Sequence, residues 1–345
     1  MAASDRNCAG CGAEVQVAAA FCFACGISVR AGLPGEKHAR LPFWPPPWGD
    51  IWTILKQSLR QVFARHGRGA VEVALESRSP QEAHVAPWAF SRVLITLLGA
   101  YLILIIIFDS TSNAIVVPIA LLIGAAIVPV SAALFIFECN LPRNTTLYRF
   151  SVLLAAGGFL SLIGSVVLYS IDPAGLSAIG AMAAPFIEEP AKLMIVILLT
   201  RRYAAPWVLN GAVFGAAVGA GFAVLETSGY LFVSFFNLGN MSAVSDLAFQ
   251  RGFLSFGTHV SWTAILAAAL WSVRDGRPLS WDMLTNKLFV IPFSIVIAAH
   301  LVWNSPIGQS AIPLLFAIAL LGAIMLLSYI AEGLDQSLNP TNADT

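Results

Sequence analysis

The chain has 345 residues, 58% of them hydrophobic and 11% charged, with 19 basic residues balancing 19 acidic ones. An ordinary soluble domain is about 45–50% apolar and about 25% charged, so a soluble globular protein, a disordered chain and a secreted disulfide scaffold are excluded. Zero net charge argues equally against a nucleic-acid-binding protein. What remains is a polytopic membrane protein of mean hydropathy +0.78.

Residues 1–30 hold Cys8-Ala-Gly-Cys11-Gly12 and Cys22-Phe-Ala-Cys25-Gly26, with ten residues between Cys11 and Cys22. Two CxxC knuckles at this spacing let four thiolates close a tetrahedral structural zinc site, and the glycine after each pair permits the tight turn. With Glu14 after the first knuckle and Phe21 before the second, the segment resembles the short zinc-ribbon modules at the N-termini of many bacterial membrane proteins. Four cysteines leave no open position on the metal, which points to contact with a cytosolic protein partner or to regulation rather than to chemistry. A pair of disulfides in an oxidising compartment is the alternative. The polar start (Ser4, Asp5, Arg6, Asn7), with no apolar leader, favours the reducing cytosol.

Residues 31–87 read as a connection to the membrane. Pro34, Pro42 and Pro45-Pro46-Pro47 favour extended polyproline backbone over 31–49. Over 50–66, Ile51, Ile54, Leu55, Leu59, Val62 and Phe63 recur at helical spacing, with Lys56, Arg60 and Arg65 on other faces. That pattern predicts an amphipathic helix on the inner leaflet, or a short cytosolic helix packed on the linker.

From residue 88 to 332 the chain reads as an all-α membrane domain of about eight transmembrane helices. Apolar runs occur at 93–108, 114–137, 150–171, 177–199, 208–233, 253–272, 288–304 and 311–331, each within or near the about 17–25 residues that span a bilayer. Ten Lys and Arg precede the first run, and the successive connections then hold none, two, none, two, one, three and none. This alternation places both termini in the cytoplasm of a plasma-membrane protein. Residues 333–345 form a polar tail.

Of the 38 charged residues only Glu188, Glu189, Lys192 and Glu226 fall inside the runs, joined there by His259 and His300. Ionisable groups at membrane depth cost on the order of 3 kcal/mol each, so they are functional candidates. With the orientation above, Glu188, Glu226, His259 and His300 lie roughly 16, 10, 9 and 6 Å below the outer boundary at about 1.5 Å per residue. All four thus fall in the outer half of the bilayer. Pro190 removes an amide donor and predicts a kinked or interrupted helix. If that helix restarts at Pro185, both carboxylates sit in its first turn. Glu188 and Lys192 can pair at i,i+4, while Glu189 points about 100° away and needs balance from another helix. Gly211, Gly215 and Gly219 form a small-residue stripe for close helix packing, and Glu226 continues it toward protein rather than lipid. His300 and Asn304 share a face.

Glu188-Glu189-x-x-Lys192, then Phe222-x-x-x-Glu226, then single histidines on the next two spans, resemble the PrsW family of intramembrane proteases, distant relatives of the CAAX-prenyl endopeptidases. His300-x-x-x-Asn304 is similar to the last motif of the CAAX group. The resemblance covers about 90–331. It departs at Thr227, where many relatives carry Asn, which leaves that position without an assigned polar role. The resemblance implies an intramembrane endopeptidase acting on single-pass membrane proteins, among them an anti-sigma factor in stress signalling. No Ser or Cys has the surroundings of an activated nucleophile, so a directly attacking water is expected. Glu188 or Glu189 is then the general base, and Asn304 donates to the oxyanion. His259 and His300, helped by Glu226, hold the water or a catalytic Zn²⁺, and the same residues can also work without metal. An ion- or proton-coupled transporter or sensor uses the same residue types and a broken helix. The sequence shows no repeat between the two halves of the membrane region to support it. A degenerate, non-catalytic relative is the third reading.

Overall fold

The computed structural model describes residues 89–140, 144–171, 175–203, 205, 207–239, 241–274 and 278–338, with the backbone of 6–7 and 14–15. Arg6–Asn7 (β1) and Glu14–Val15 (β2) pair antiparallel, Arg6 opposite Val15. The four zinc-knuckle cysteines, the proline linker and the helix expected over 50–66 lie outside the described residues.

The membrane region is all helical, as its uncharged runs require: in a bilayer a chain must satisfy its backbone polar groups internally. In order come α1 (Ala89–Thr111), α2 (Val116–Glu138), α3 (Leu147–Ile171, with a π-helical turn over Leu153–Gly157), α4 (Ala184–Thr200), α5 (Val208–Leu238), α6 (Met241–Leu254), α7 (His259–Arg274), α8 (Lys287–Asn304), the short α9 (Pro306–Ser310) and α10 (Ile312–Leu338). Among the described residues, seven stretches are long and apolar enough to cross a membrane: α1, α2, α3, α5, the Val244–Arg274 stretch of α6 and α7, α8, and α10 as far as Leu334.

The expected fourth span is built differently. Leu176–Ala183 forms a 3₁₀ turn in which Gly180 takes φ 57°, ψ −132°, backbone that a side chain would disfavour. Only then does the 17-residue α4 begin, carrying two glutamates and a lysine. Shortness and charge together keep α4 below the measure the other seven meet. The chain therefore breaks at Gly180 and not at Pro190, which is accommodated inside a continuous α4. Because that helix starts at Ala184, Glu188 and Glu189 are its fifth and sixth residues, one residue deeper than a start at Pro185 predicts and just past the first turn.

α5 is the axis of the bundle. A Cβ at Gly211 would stand 2.6 Å from the Ala267 carbonyl oxygen and one at Gly219 2.5 Å from that of His259, while at Gly215 it would press on the Thr263 carbonyl. The glycine stripe is thus the seam along which α5 and α7 meet backbone to backbone. Farther round α5, Gly221 lies against the Leu154 carbonyl in the π turn of α3. By contrast α1 turns Leu102, Ile103 and Ile106 outward, as a lipid-facing helix does. Its first amides, Ala89 and Phe90, donate to the Glu138 carboxylate at 2.9 and 3.3 Å, which caps the helix.

Candidate active site

Four helices deliver the intramembrane ionisable residues to one place. Glu188, Glu189 and Lys192 come from one face of α4, Glu226 from α5, His259 from the first residue of α7 and His300 from α8. His259 owes its position to a break: the 3₁₀ turn Ser255–Gly257 and a non-helical Thr258 (φ −117°, ψ −114°) separate α6 from α7. Gly257 in that turn packs on the Ala319 carbonyl of α10, an approach a side chain would block.

Lys192 is the internal cation. Its Nζ lies 2.6 Å from Glu189 Oε1 and 3.7 Å from Glu188 Oε2, so the tighter pair is i,i+3 with Glu189 rather than the i,i+4 pair with Glu188. Glu189 receives its second hydrogen bond from another helix, His300 Nδ1 at 3.0 Å. Lys192 also donates to His259 Nδ1 at 3.1 Å and stands 4.2 Å above the Phe222 ring. Glu189 and Lys192 are fully buried, so each charge depends on the other.

One ligand atom each from Glu188, Glu189, His259 and His300 lie within 4.8 Å of one another. Glu188 Oε2 and Glu189 Oε2 are buried without a hydrogen-bond partner. Two imidazoles and two carboxylates with unspent oxygens suit a divalent transition metal such as Zn²⁺. Glu226, expected to join the two histidines, stands outside this set. Its Oε2 accepts from Arg251 Nη2 at 2.9 Å and lies 3.2 Å from His259 Nε2. Arg251 holds the carboxylate on the far side of the His259 ring. Asn304 follows His300 by one turn, and its amide nitrogen donates to the Ala181 carbonyl at 3.2 Å, tying α8 to the 3₁₀ turn before α4.

Other residues shape the site without having been singled out from the sequence. Trp262 lies over the His300 ring, centroids 4.6 Å apart and planes at 31°, and edge-on to His259. Tyr169 on α3 donates its hydroxyl to Glu188 Oε1 at 3.4 Å. The Arg251 guanidinium caps the Tyr230 ring at 4.1 Å. A legible signal existed for Arg251 alone: it is the single Lys or Arg in the connections otherwise expected outside, and it precedes His259 by eight residues.

The long apolar helices make this a multi-pass membrane protein, and the buried Glu/His cluster inside its bundle is the arrangement that an intramembrane metallohydrolase requires. The model of the PrsW family of intramembrane metalloproteases matches residues 116–331, well over half of the chain, and the protein belongs to that family. No curated protein and no solved structure gives a significant match.

Proposed function

We propose that the chain cuts a single-pass membrane protein within the outer half of the bilayer, using water activated by Glu188. The observation that carries this reading is the unspent Glu188 Oε2 in the four-residue cluster. Glu189 is tied through Oε1 to Lys192 and His300, and its free Oε2 is left for a metal. Glu188 keeps a lone pair for a water, and its other oxygen is held by Tyr169. As the water oxygen attacks the peptide carbonyl, Glu188 takes its proton and then passes it to the departing amine. His300, Glu189 and, once the Lys192 ammonium turns wholly to Glu189 and frees its Nδ1, His259 would hold the metal, a set of two imidazoles and one carboxylate that leaves an open position. When bound, the metal supplies Lewis-acid polarisation and a more acidic water. Lys192 keeps the carboxylates of α4 electrostatically balanced.

The remaining assignments belong to the same proposal. Both termini are cytoplasmic in a plasma membrane, with α4 and its 3₁₀ turn completing eight crossings of an 88–332 domain. Cys8, Cys11, Cys22 and Cys25 hold a structural zinc that presents a surface to a cytosolic partner; the antiparallel pairing of Arg6–Asn7 with Glu14–Val15, which flank the first knuckle in sequence, supports this. Residues 31–87 form the linker and interfacial helix, and the 333–345 tail begins within α10. Stress signalling through an anti-sigma factor is the setting that the family resemblance favours.

Glu188→Gln tests the assignment with the purified full chain and a model single-pass helix in proteoliposomes. Cleavage is expected to fall by about 10²–10⁴-fold, the usual worth of a general base, while membrane insertion and Zn²⁺ binding persist. Full activity in this variant rejects Glu188 as the base. Substrate uptake without cleavage by the wild type returns the transporter reading.

A further inference from the structure

Glu226 is buried to within 14% of its side-chain surface, in a bundle where a carboxylate needs a hydrogen-bonded counter-charge. Lys192 is spent on Glu189, and it is Arg251 that reaches the Glu226 carboxylate, 2.9 Å away. The guanidinium is fixed from both sides, by that contact and by the Tyr230 ring beneath it. Its helix is anchored too: Met241, Val244 and Ala248 of α6 are buried in a cluster with Leu231 of α5 and residues of α1 and α2, and Tyr101 of α1 hydrogen-bonds Ser245 at 2.9 Å.

The bonds of the His259 ring follow from donor and acceptor chemistry. An ammonium can only donate, so Nδ1, 3.1 Å from Lys192 Nζ, is the accepting nitrogen. Nε2 then carries the hydrogen and donates to Glu226 Oε2 at 3.2 Å. A carboxylate on the outer nitrogen of an imidazole fixes its tautomer and ring angle and raises the basicity of the inner nitrogen.

We infer that Arg251 is a positioning residue for His259, acting through Glu226: the series Tyr230–Arg251–Glu226 holds the His259 ring with its Nδ1 lone pair turned into the cluster. Glu226 is accordingly an outer carboxylate and not a ligand. The inference rests on the metalloprotease reading of the cluster.

The test compares wild type, Arg251→Gln, Arg251→Lys, Glu226→Gln and the Arg251→Gln/Glu226→Gln double variant, each the full chain in detergent. Zn²⁺ alone is titrated by calorimetry, and cleavage of the model helix gives kcat and KM separately. Arg251→Gln is expected to weaken Zn²⁺ about 10–100-fold, as loss of an outer-shell partner does, and to lower kcat with KM unchanged. Arg251→Lys should recover part of both. The double variant should match Glu226→Gln alone, because Arg251 has no other route to the ring. Unchanged Zn²⁺ affinity in Arg251→Gln, an effect confined to KM, or additive losses in the double variant each overturn the inference. Should Arg251→Gln not fold, the affinity of Arg251→Lys and its additivity with Glu226→Gln decide the matter instead. A wild type that neither binds Zn²⁺ nor cleaves would reject the underlying functional reading, a result distinct from variants that merely equal the wild type.

Discussion

Lys192 Nζ lies 2.6 Å from Glu189 Oε1, less than one turn back on α4, and this contact divides the two neighbouring glutamates into different tasks. Glu189 carries the buried ion pair and a hydrogen bond from His300, whereas Glu188 holds a single long bond from Tyr169. Breaking one partner out of a buried pair costs about 3–5 kcal/mol, because the other charge is stranded. Glu189→Gln should therefore lower the unfolding midpoint in detergent clearly, and Glu188→Gln should change it little. Equal melting of the two variants would show that Lys192 does not discriminate between them.

Removal of divalent metal by a chelator is expected to stop cleavage, and added Zn²⁺ to restore it. His300→Ala should weaken Zn²⁺ binding by more than the about 10–100-fold that outer-shell partners are worth, measured by calorimetry on the purified chain. Undiminished cleavage after exhaustive chelation would speak for hydrolysis by the same side chains without metal.

Much of this site was legible because charge is so scarce in the chain. Glu188, Glu189, Lys192, His259 and His300 stand out against apolar runs, and the glycine period predicted a close-packed face on α5, though not that α7, with His259 at its head, is the helix packed there. The role of Glu226 was less accessible, since pattern places a carboxylate on a helix face but does not say which cation will claim it. Arg251 decides that, and it lies in a connection where an arginine ordinarily meets water. The break at Gly180 was equally hidden: Pro190 carries the stronger local signal, yet α4 runs through it continuously, forgoing only the bond to the Phe186 carbonyl, while the backbone leaves helical geometry at Gly180. Trp262 is invisible for the opposite reason, as one apolar residue among many, and only packing shows that it lies on His300.

That packing has a measurable consequence. Trp262 is fully buried, and its ring covers His300 at 4.6 Å. Trp262→Ala should destabilise the bundle by about 3–5 kcal/mol, the range for a large aromatic truncated in a core. Trp262→Phe keeps an aromatic face over the imidazole and should retain most activity and most of the melting temperature. If the alanine variant melts and cleaves like the wild type, His300 does not depend on the stack.

The seam between α5 and α7 can be tested against a lipid-facing control. A methyl group at Gly215 would meet the Thr263 carbonyl and the Ala264 Cα, backbone atoms that cannot swing aside, whereas at Gly99 on α1 nothing lies within 4 Å. Overpacking of this kind costs about 1–3 kcal/mol, and it would also push α7, with His259 at its head, away from α5. Gly215→Ala is therefore expected to lower both the melting midpoint and the Zn²⁺ affinity. Gly99→Ala should leave the affinity untouched and, by favouring helix, hold or slightly raise the midpoint. A Gly215→Ala variant with wild-type Zn²⁺ affinity would mean that the site tolerates a separation of the two helices, and that His259 is placed by the Ser255–Gly257 turn and α10 rather than by the glycine seam.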